Sequence, residues 1–188
     1  MYYDTDNYWK TRGKGYLTEF QKRFNLLTRY RFWQQERVIR KTLPYKVETV
    51  LEVGCGFGRI TKILLENPIV QYIEAIDISS DQIENAKKNI KDLRANFCVK
   101  SIFDLNYDSD FDLVVASEVL MHIPPDRIQD ALERLHRAGK QVYHIDWYAP
   151  NEPKTVGGFC WQHEYPEPII KKLDRQAIYL GHNTLQVR

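Results

Sequence analysis

The chain has 188 residues, with 27 Lys and Arg against 25 Asp and Glu, for a net charge of +2. That length fits one domain, and 43% hydrophobic residues let it bury a substantial core. No apolar run approaches the length a membrane helix needs, and Cys55, Cys98 and Cys160 have neither metal-ligand spacing nor an even count, which argues against a bound metal and a disulfide framework.

The charge is unevenly spread. Residues 1–47 carry a net +7 and 11 of the 24 aromatic residues, so a basic, aromatic segment precedes a mildly acidic remainder. Reduced cysteines and the absence of a basic-apolar-small opening make the cytoplasm the expected compartment. Met1 to Gly15 reads as irregular. Phe20, Phe24, Leu27, Tyr30 and Trp33 recur at helical spacing, which predicts one amphipathic helix over residues 17–41, ended by Pro44.

Strand and helix then alternate. Strands are expected over 49–53, 72–76, 95–99, 111–116 and 140–147, and helices over 59–66, 80–91 and 125–137. Such alternation predicts an α/β fold with a parallel sheet and helices on both faces. Ser79-x-x-Gln82 is a capping box for the 80–91 helix. Residues 149–167, with Pro150, Pro153, Pro166 and two adjacent glycines, read as a loop, and 169–175 as a short helix. Residues 177–180 and 184–187 flank Gly181-His182-Asn183 as a hairpin.

The most informative stretch is Val50-Leu51-Glu52-Val53-Gly54-Cys55-Gly56-Phe57-Gly58. A buried strand opens there into a turn whose glycines let a ligand lie against bare backbone. A dinucleotide site expects G-x-G-x-x-G, whereas here the third glycine comes one residue sooner. A second strand ends at Asp77, placed to accept the hydroxyls of a ribose. A third, Phe111 to Ser117, leads into Glu118-Val119-Leu120-Met121-His122-Ile123.

Over residues 48–147 this resembles the class I, Rossmann-like, S-adenosylmethionine-dependent methyltransferases, especially the group that acts on small molecules. The resemblance implies a doubly wound, mostly parallel seven-stranded sheet with a C-terminal antiparallel hairpin and an N-terminal helical lid. It implies a single domain divided into a lid (1–47), a cofactor-binding core (48–147) and a substrate loop with closing hairpin (148–188). It also implies S-adenosylmethionine as cofactor, without a metal.

By the same resemblance, Glu52, Gly54, Cys55, Gly56 and Gly58 form the cofactor loop, and Asp77 and Ile78 meet the ribose. Ser101, Ile102 or nearby Asp104 meet the adenine, and Ser117 lies beside the loop. Arg12 is the candidate for the cofactor carboxylate. His122 and His163 are the candidate bases. Tyr8, Trp9, Tyr16, Asp146 and Tyr165 are candidate substrate contacts, and Tyr30 and Trp33 join the first three as a pocket cover. Where methylases of amino groups carry Asn/Asp-Pro-Pro-Tyr/Phe, this chain has Ser117-Glu118-Val119-Leu120. The expected acceptor is a small molecule, methylated at O, N or C. An RNA acceptor held by the basic helix, or a non-catalytic cofactor-binding subunit, are the alternatives. The expected assembly is a monomer or homodimer.

Overall fold

The computed structural model describes residues 4–22, 26–146, 154–157, 160–163, 177–181 and 184–187. Five strands rich in β-branched and apolar residues form its centre: Thr49–Val53 (β1), Tyr72–Asp77 (β2), Ala95–Val99 (β3), Phe111–Ser117 (β4) and Gly139–Ile145 (β5). They pair in parallel in the order β3-β2-β1-β4-β5. The order reverses between β2-β1 and β4, so the C-terminal ends of β1 and β4 open a crevice where ligands of α/β sheets bind. Beyond β5, Thr184–Val187 pairs antiparallel with β5, and Ala177–Gly181 pairs antiparallel with Thr184–Val187.

Successive strand residues point to opposite faces, which divides the core in two. Val50, Ile73, Leu113, Val115, Tyr143 and Ile145 face one side. There they meet Ile39 of α2 (Leu26–Thr42), Ile60, Ile63 and Leu64 of α3 (Arg59–Leu65), and Ile83 and Ala86 of α4 (Ser80–Asn89). Leu51, Val53, Ile76, Val114 and Val142 face the other side, against Ala131, Leu132, Leu135 and Ala138 of α5 (Ile128–Ala138). The Ser79 hydroxyl caps α4 by accepting from the Gln82 amide, the bond its spacing predicts. Gly139 ends α5 in extended conformation, and its lack of a side chain is a packing need: a Cβ there would stand 2.6 Å from Val114 Cγ2.

The N-terminus differs from the sequence reading. Residues Thr5–Lys22 form a helix, α1, where an irregular stretch is expected up to residue 15, and α2 is a separate helix. Asp4 starts α1, its Oδ1 accepting from the Asn7 amide at 2.9 Å. Gly13 marks a crossing: a Cβ there would stand 1.9 Å from Ser79 Oγ and 3.2 Å from Asp81 Cβ, so glycine lets α1 reach α4. On α2 the inward positions are Phe32, Gln35 and Ile39. Tyr30 and Trp33 fall on the opposite face, half exposed and stacked on each other with ring centroids 5.8 Å apart, so they do not cover the pocket. The side chains of Phe20, Phe24 and Leu27 lie outside the described residues.

The loop expected at 149–167 contains an antiparallel ribbon, Lys154–Gly157 (β6) with Cys160–Gln162 (β7). Lys154 pairs there with Gln162, Thr155 with Trp161 and Gly157 with Cys160. The helix expected at 169–175 lies outside the described residues.

Candidate functional site

β1 delivers the chain into a loop held by its own backbone. The Cys55 amide donates to the Ile76 carbonyl at the end of β2, and the Gly58 amide donates to the Cys55 carbonyl. Gly54 and Gly56 sit at φ 69° and 54°, a region costly for other residues. They differ in what surrounds them. A Cβ on Gly54 would stand 2.2 Å from Val119 Cγ2, whereas one on Gly56 meets nothing within 4 Å, because the space beside it is open cavity. Cys55 is buried, and its thiol, pushed up by burial, stays protonated.

The Asp77 carboxylate braces this loop from the neighbouring strand. Its Oδ2 accepts from the Gly56 amide and its Oδ1 from the Ser79 amide, each at 2.9 Å. Burial raises its pKa. Glu52 lies beneath, 3% exposed, with Oε2 accepting from the Thr61 hydroxyl at 2.6 Å. Burial pushes its pKa up to about 7 against the opposing pull of that bond.

One cavity joins the C-terminal ends of β1, β2 and β4. Glu52, Gly54, Cys55, Gly56, Asp77, Ile78, Ser101, Ile102, Ser117 and His122 all line it, as the sequence groups them. Gly58 is not on the lining; a Cβ there would stand 2.6 Å from Ile90 Cδ1, so it serves the packing of α3 on α4. Ser101 caps a short 3-10 turn, and Asp104 closes that cap by accepting from the Ser101 amide, which keeps Asp104 off the lining. Ile102 on the same turn is buried at the cavity wall.

The opposite wall comes from distant segments. Trp9 and Tyr16 of α1 and Phe32 of α2 line the cavity, with Trp9 and Tyr16 in edge contact at 5.7 Å. Trp9 also meets the His122 ring at 4.4 Å. Behind His122, its Nδ1 stands 3.5 Å from Cys160 Sγ on β7. His163 hydrogen-bonds through Nε2 to the Leu120 carbonyl at 2.9 Å, which fastens the ribbon to the turn carrying His122. His163 itself is buried off the cavity, and burial lowers its pKa.

Asp146 is also buried off the cavity. Its Oδ1 accepts from the Met121 amide, Oδ2 has no hydrogen-bond partner, and burial raises its pKa well above the usual carboxylate range. Tyr8 packs on Trp9 without reaching the lining, and Arg12 lies over the Tyr8 ring, also off the lining. Tyr165 lies outside the described residues.

Four buried polar atoms on residues of this lining make no hydrogen bond: Trp9 Nε1, Arg59 Nη1, Gln82 Oε1 and Ser117 Oγ. Buried donors and acceptors are costly to leave unpaired. Their convergence on one cavity, beside bare glycine backbone, fits a ligand that carries both acceptors and donors. Arg59 and Glu118 went unassigned in the sequence, although the first directly follows the glycine loop and the second directly follows β4.

A family model described as a methyltransferase domain matches residues 50–141. The match takes in just under half of the chain. The chain is 33% identical over 99 residues to the mitochondrial ubiquinone biosynthesis O-methyltransferase of Candida albicans, covering 48% of this chain and 30% of that protein. It is 34% identical over 68 residues to a malonyl-[acyl-carrier protein] O-methyltransferase of Priestia megaterium, covering 36% of this chain and 25% of that protein. The match therefore spans less than a third of the length of either relative. Among solved structures, the magnesium protoporphyrin IX methyltransferase of Synechocystis PCC 6803 with bound S-adenosylmethionine superposes with a TM-score of 0.76 over 99% of this chain and 97% of that one, at 13% identity. That likeness is one of fold.

Proposed function

We propose that the protein is an S-adenosylmethionine-dependent methyltransferase that methylates a small molecule at O, N or C. The observation that carries this is the cavity on which the glycine loop, Asp77 and residues with buried polar atoms that make no hydrogen bond converge. The names of the curated relatives, O-methyltransferases of small or carrier-bound acceptors, support the acceptor class.

When bound, S-adenosylmethionine supplies an electrophilic methyl group on a sulfonium. The chain's residues hold, orient and exclude water, which is most of what an in-line displacement asks of a protein. Gly54 and Gly56 let the backbone approach the ligand. Asp77, already fixed by two amides, accepts the ribose hydroxyls with its remaining lone pairs. Ile78 packs the ribose, and Ser101 and Ile102 hold the adenine. His122 takes the proton of an O or N acceptor, its ring plane fixed between Trp9 and Cys160. In this reading residues 1–47 are a lid, with Trp9 and Tyr16 against the acceptor. Residues 48–147 are the cofactor core, and residues 148–188 supply the substrate wall and the hairpin that closes a seven-stranded sheet.

The test is transfer of a radiolabelled methyl group from the cofactor into a host-cell extract separated by size and nuclease sensitivity. The expected result is label in a small, nuclease-resistant fraction. Label confined to nuclease-sensitive material would replace the acceptor class with RNA, and cofactor binding without transfer to any fraction would leave a binding subunit.

A further inference from the structure

The turn that carries His122, Leu120–His122, is held from two sides. From the end of β5, Asp146 Oδ1 accepts from the Met121 amide at 3.2 Å. From the β6–β7 ribbon, His163 Nε2 donates to the Leu120 carbonyl at 2.9 Å, and Trp161 beside it is 6% exposed. Within the turn, the His122 amide donates to the Val119 carbonyl at 2.9 Å. These contacts place the backbone of the turn. The aim of the imidazole depends on what meets the ring itself.

Trp9 meets it at 4.4 Å between centroids, with the ring planes 61° apart. Trp9 Nε1 makes no hydrogen bond, so this edge contact sets the tilt of the imidazole and not the place of its protons. Cys160 of β7 does meet a ring nitrogen: Sγ stands 3.5 Å from Nδ1. Burial raises the Cys160 pKa, so the group there is a neutral thiol. A carboxylate in that place would hold the ring and also favour its charged form, whereas a thiol orients it without adding charge. The thiol hydrogen turns about the Cβ–Sγ bond, which lets sulfur present a lone pair to the ring.

We infer that Cys160 is a positioning residue for His122: its sulfur accepts the hydrogen bond from Nδ1–H and leaves the Nε2 lone pair for the methyl acceptor. This rests on the reading of His122 as the base. The two ring nitrogens are distinct, and the bond made by one sets the protonation of the other. The acceptor's proton passes to Nε2 while the electron pair it leaves behind forms the bond to the methyl carbon, and the carbon–sulfur pair goes to the departing thioether. Nδ1–H keeps its bond to Cys160 throughout, so the ring need not turn between the two states. The ribbon thus belongs to the machinery of the site, although Cys160 is not on the cavity lining.

The test reads the tautomer by NMR in protein carrying isotope-labelled histidine, above the ordinary histidine pKa. The chain has five histidines, and the His122 signal is the one that His122→Gln removes. Wild-type His122 is expected to carry its proton on Nδ1. Cys160→Ala should lower the ratio of the Nδ1–H to the Nε2–H form about fivefold or more, the value of one hydrogen bond, and Cys160→Ser, whose oxygen also accepts, should restore it. The rate of label transfer from S-adenosylmethionine into the small-molecule fraction of host extract should fall about tenfold in Cys160→Ala and recover in Cys160→Ser. S-adenosylhomocysteine affinity and the thermal midpoint, unchanged in both variants, are the check on folding. A wild-type proton on Nε2, or a tautomer ratio that Cys160→Ala leaves as it was, overturns the inference and leaves the methyltransferase reading standing. Wild-type protein that transfers no label overturns that reading instead.

Discussion

The two walls of the cavity are made in different ways. One comes from the ends of three successive strands, Glu52 and the glycine loop, Asp77, and Ser101 with Ile102, and it is shaped by backbone: positive φ values, amide donors and a capped 3-10 turn. The other is assembled from side chains far apart in sequence, Trp9 and Tyr16 of α1, Phe32 of α2, and Glu118 and His122 after β4, with Cys160 and His163 behind them. Local conformation governs the first wall and tertiary packing governs the second. Damage should therefore act differently on each: through strain and buried charge on the backbone wall, and through loosened contacts on the side-chain wall.

Gly54→Ala strikes the backbone wall hardest. It adds a left-handed backbone penalty to a clash with Val119, together about 2–5 kcal/mol of stability, and should lower the thermal midpoint sharply. Gly56→Ala, with no neighbour to meet, should cost only the backbone part in stability, and an equal loss from the two would erase the difference between them. Glu52→Gln sharpens the comparison through pH. The Glu52 pKa is about 7 in the folded protein and near 4.5 when unfolded, so the unfolded chain ionises first. Stability held below pH 4.5 is lost as pH rises to 7, a penalty of about 3 kcal/mol that glutamine avoids. The variant's stability advantage over wild type should therefore grow between pH 4 and pH 8 in chemical denaturation, and a flat difference would deny the buried carboxyl.

Asp77→Asn keeps the shape of the carboxylate and removes its charge. It should weaken S-adenosylhomocysteine binding by about 10- to 100-fold in calorimetry, the value of one to two charge-assisted hydrogen bonds. The side-chain wall answers to Gly13→Ala. Alanine is the better helix former by about 1 kcal/mol, yet here it collides with Ser79 and Asp81 and disturbs the cap of α4, so the net change should be a loss of about 1 kcal/mol. Cofactor affinity should fall with it as Trp9 and Tyr16 lose their place. A stabilised variant with unchanged affinity would detach α1 from the site.

The same division explains what the sequence made legible. The parallel strands, the Ser79 cap of α4 and the grouping of Glu52, Gly54, Asp77, Ile78, Ile102 and Ser117 follow from local patterns, whereas the return bond of the capping box does not form, because the Ser79 amide donates to Asp77 instead of Gln82. Glycines at alternate positions and an acid at a strand end are constraints a short window contains. Residues joined only by packing were misread. Tyr30 and Trp33 share the aromatic spacing of α2 but face outward, because the face that meets α3 is set by Phe32, Gln35 and Ile39. Asp146 and His163, placed by the sequence among the site residues, lie off the cavity lining and hydrogen-bond to the Leu120–His122 turn. The stretch up to Gly15 reads as irregular because the partner that gives Gly13 its place in a helix, Ser79, lies in another element.

That contact has a consequence for the newborn chain. α1 leaves the ribosome before the surface Gly13 rests on, at Ser79 and Asp81, which is translated only many residues later, seconds at usual rates of synthesis. α1 is thus made before its seat exists, and its aromatic side chains must wait in solvent or in the care of a chaperone until α4 and the sheet behind it have formed.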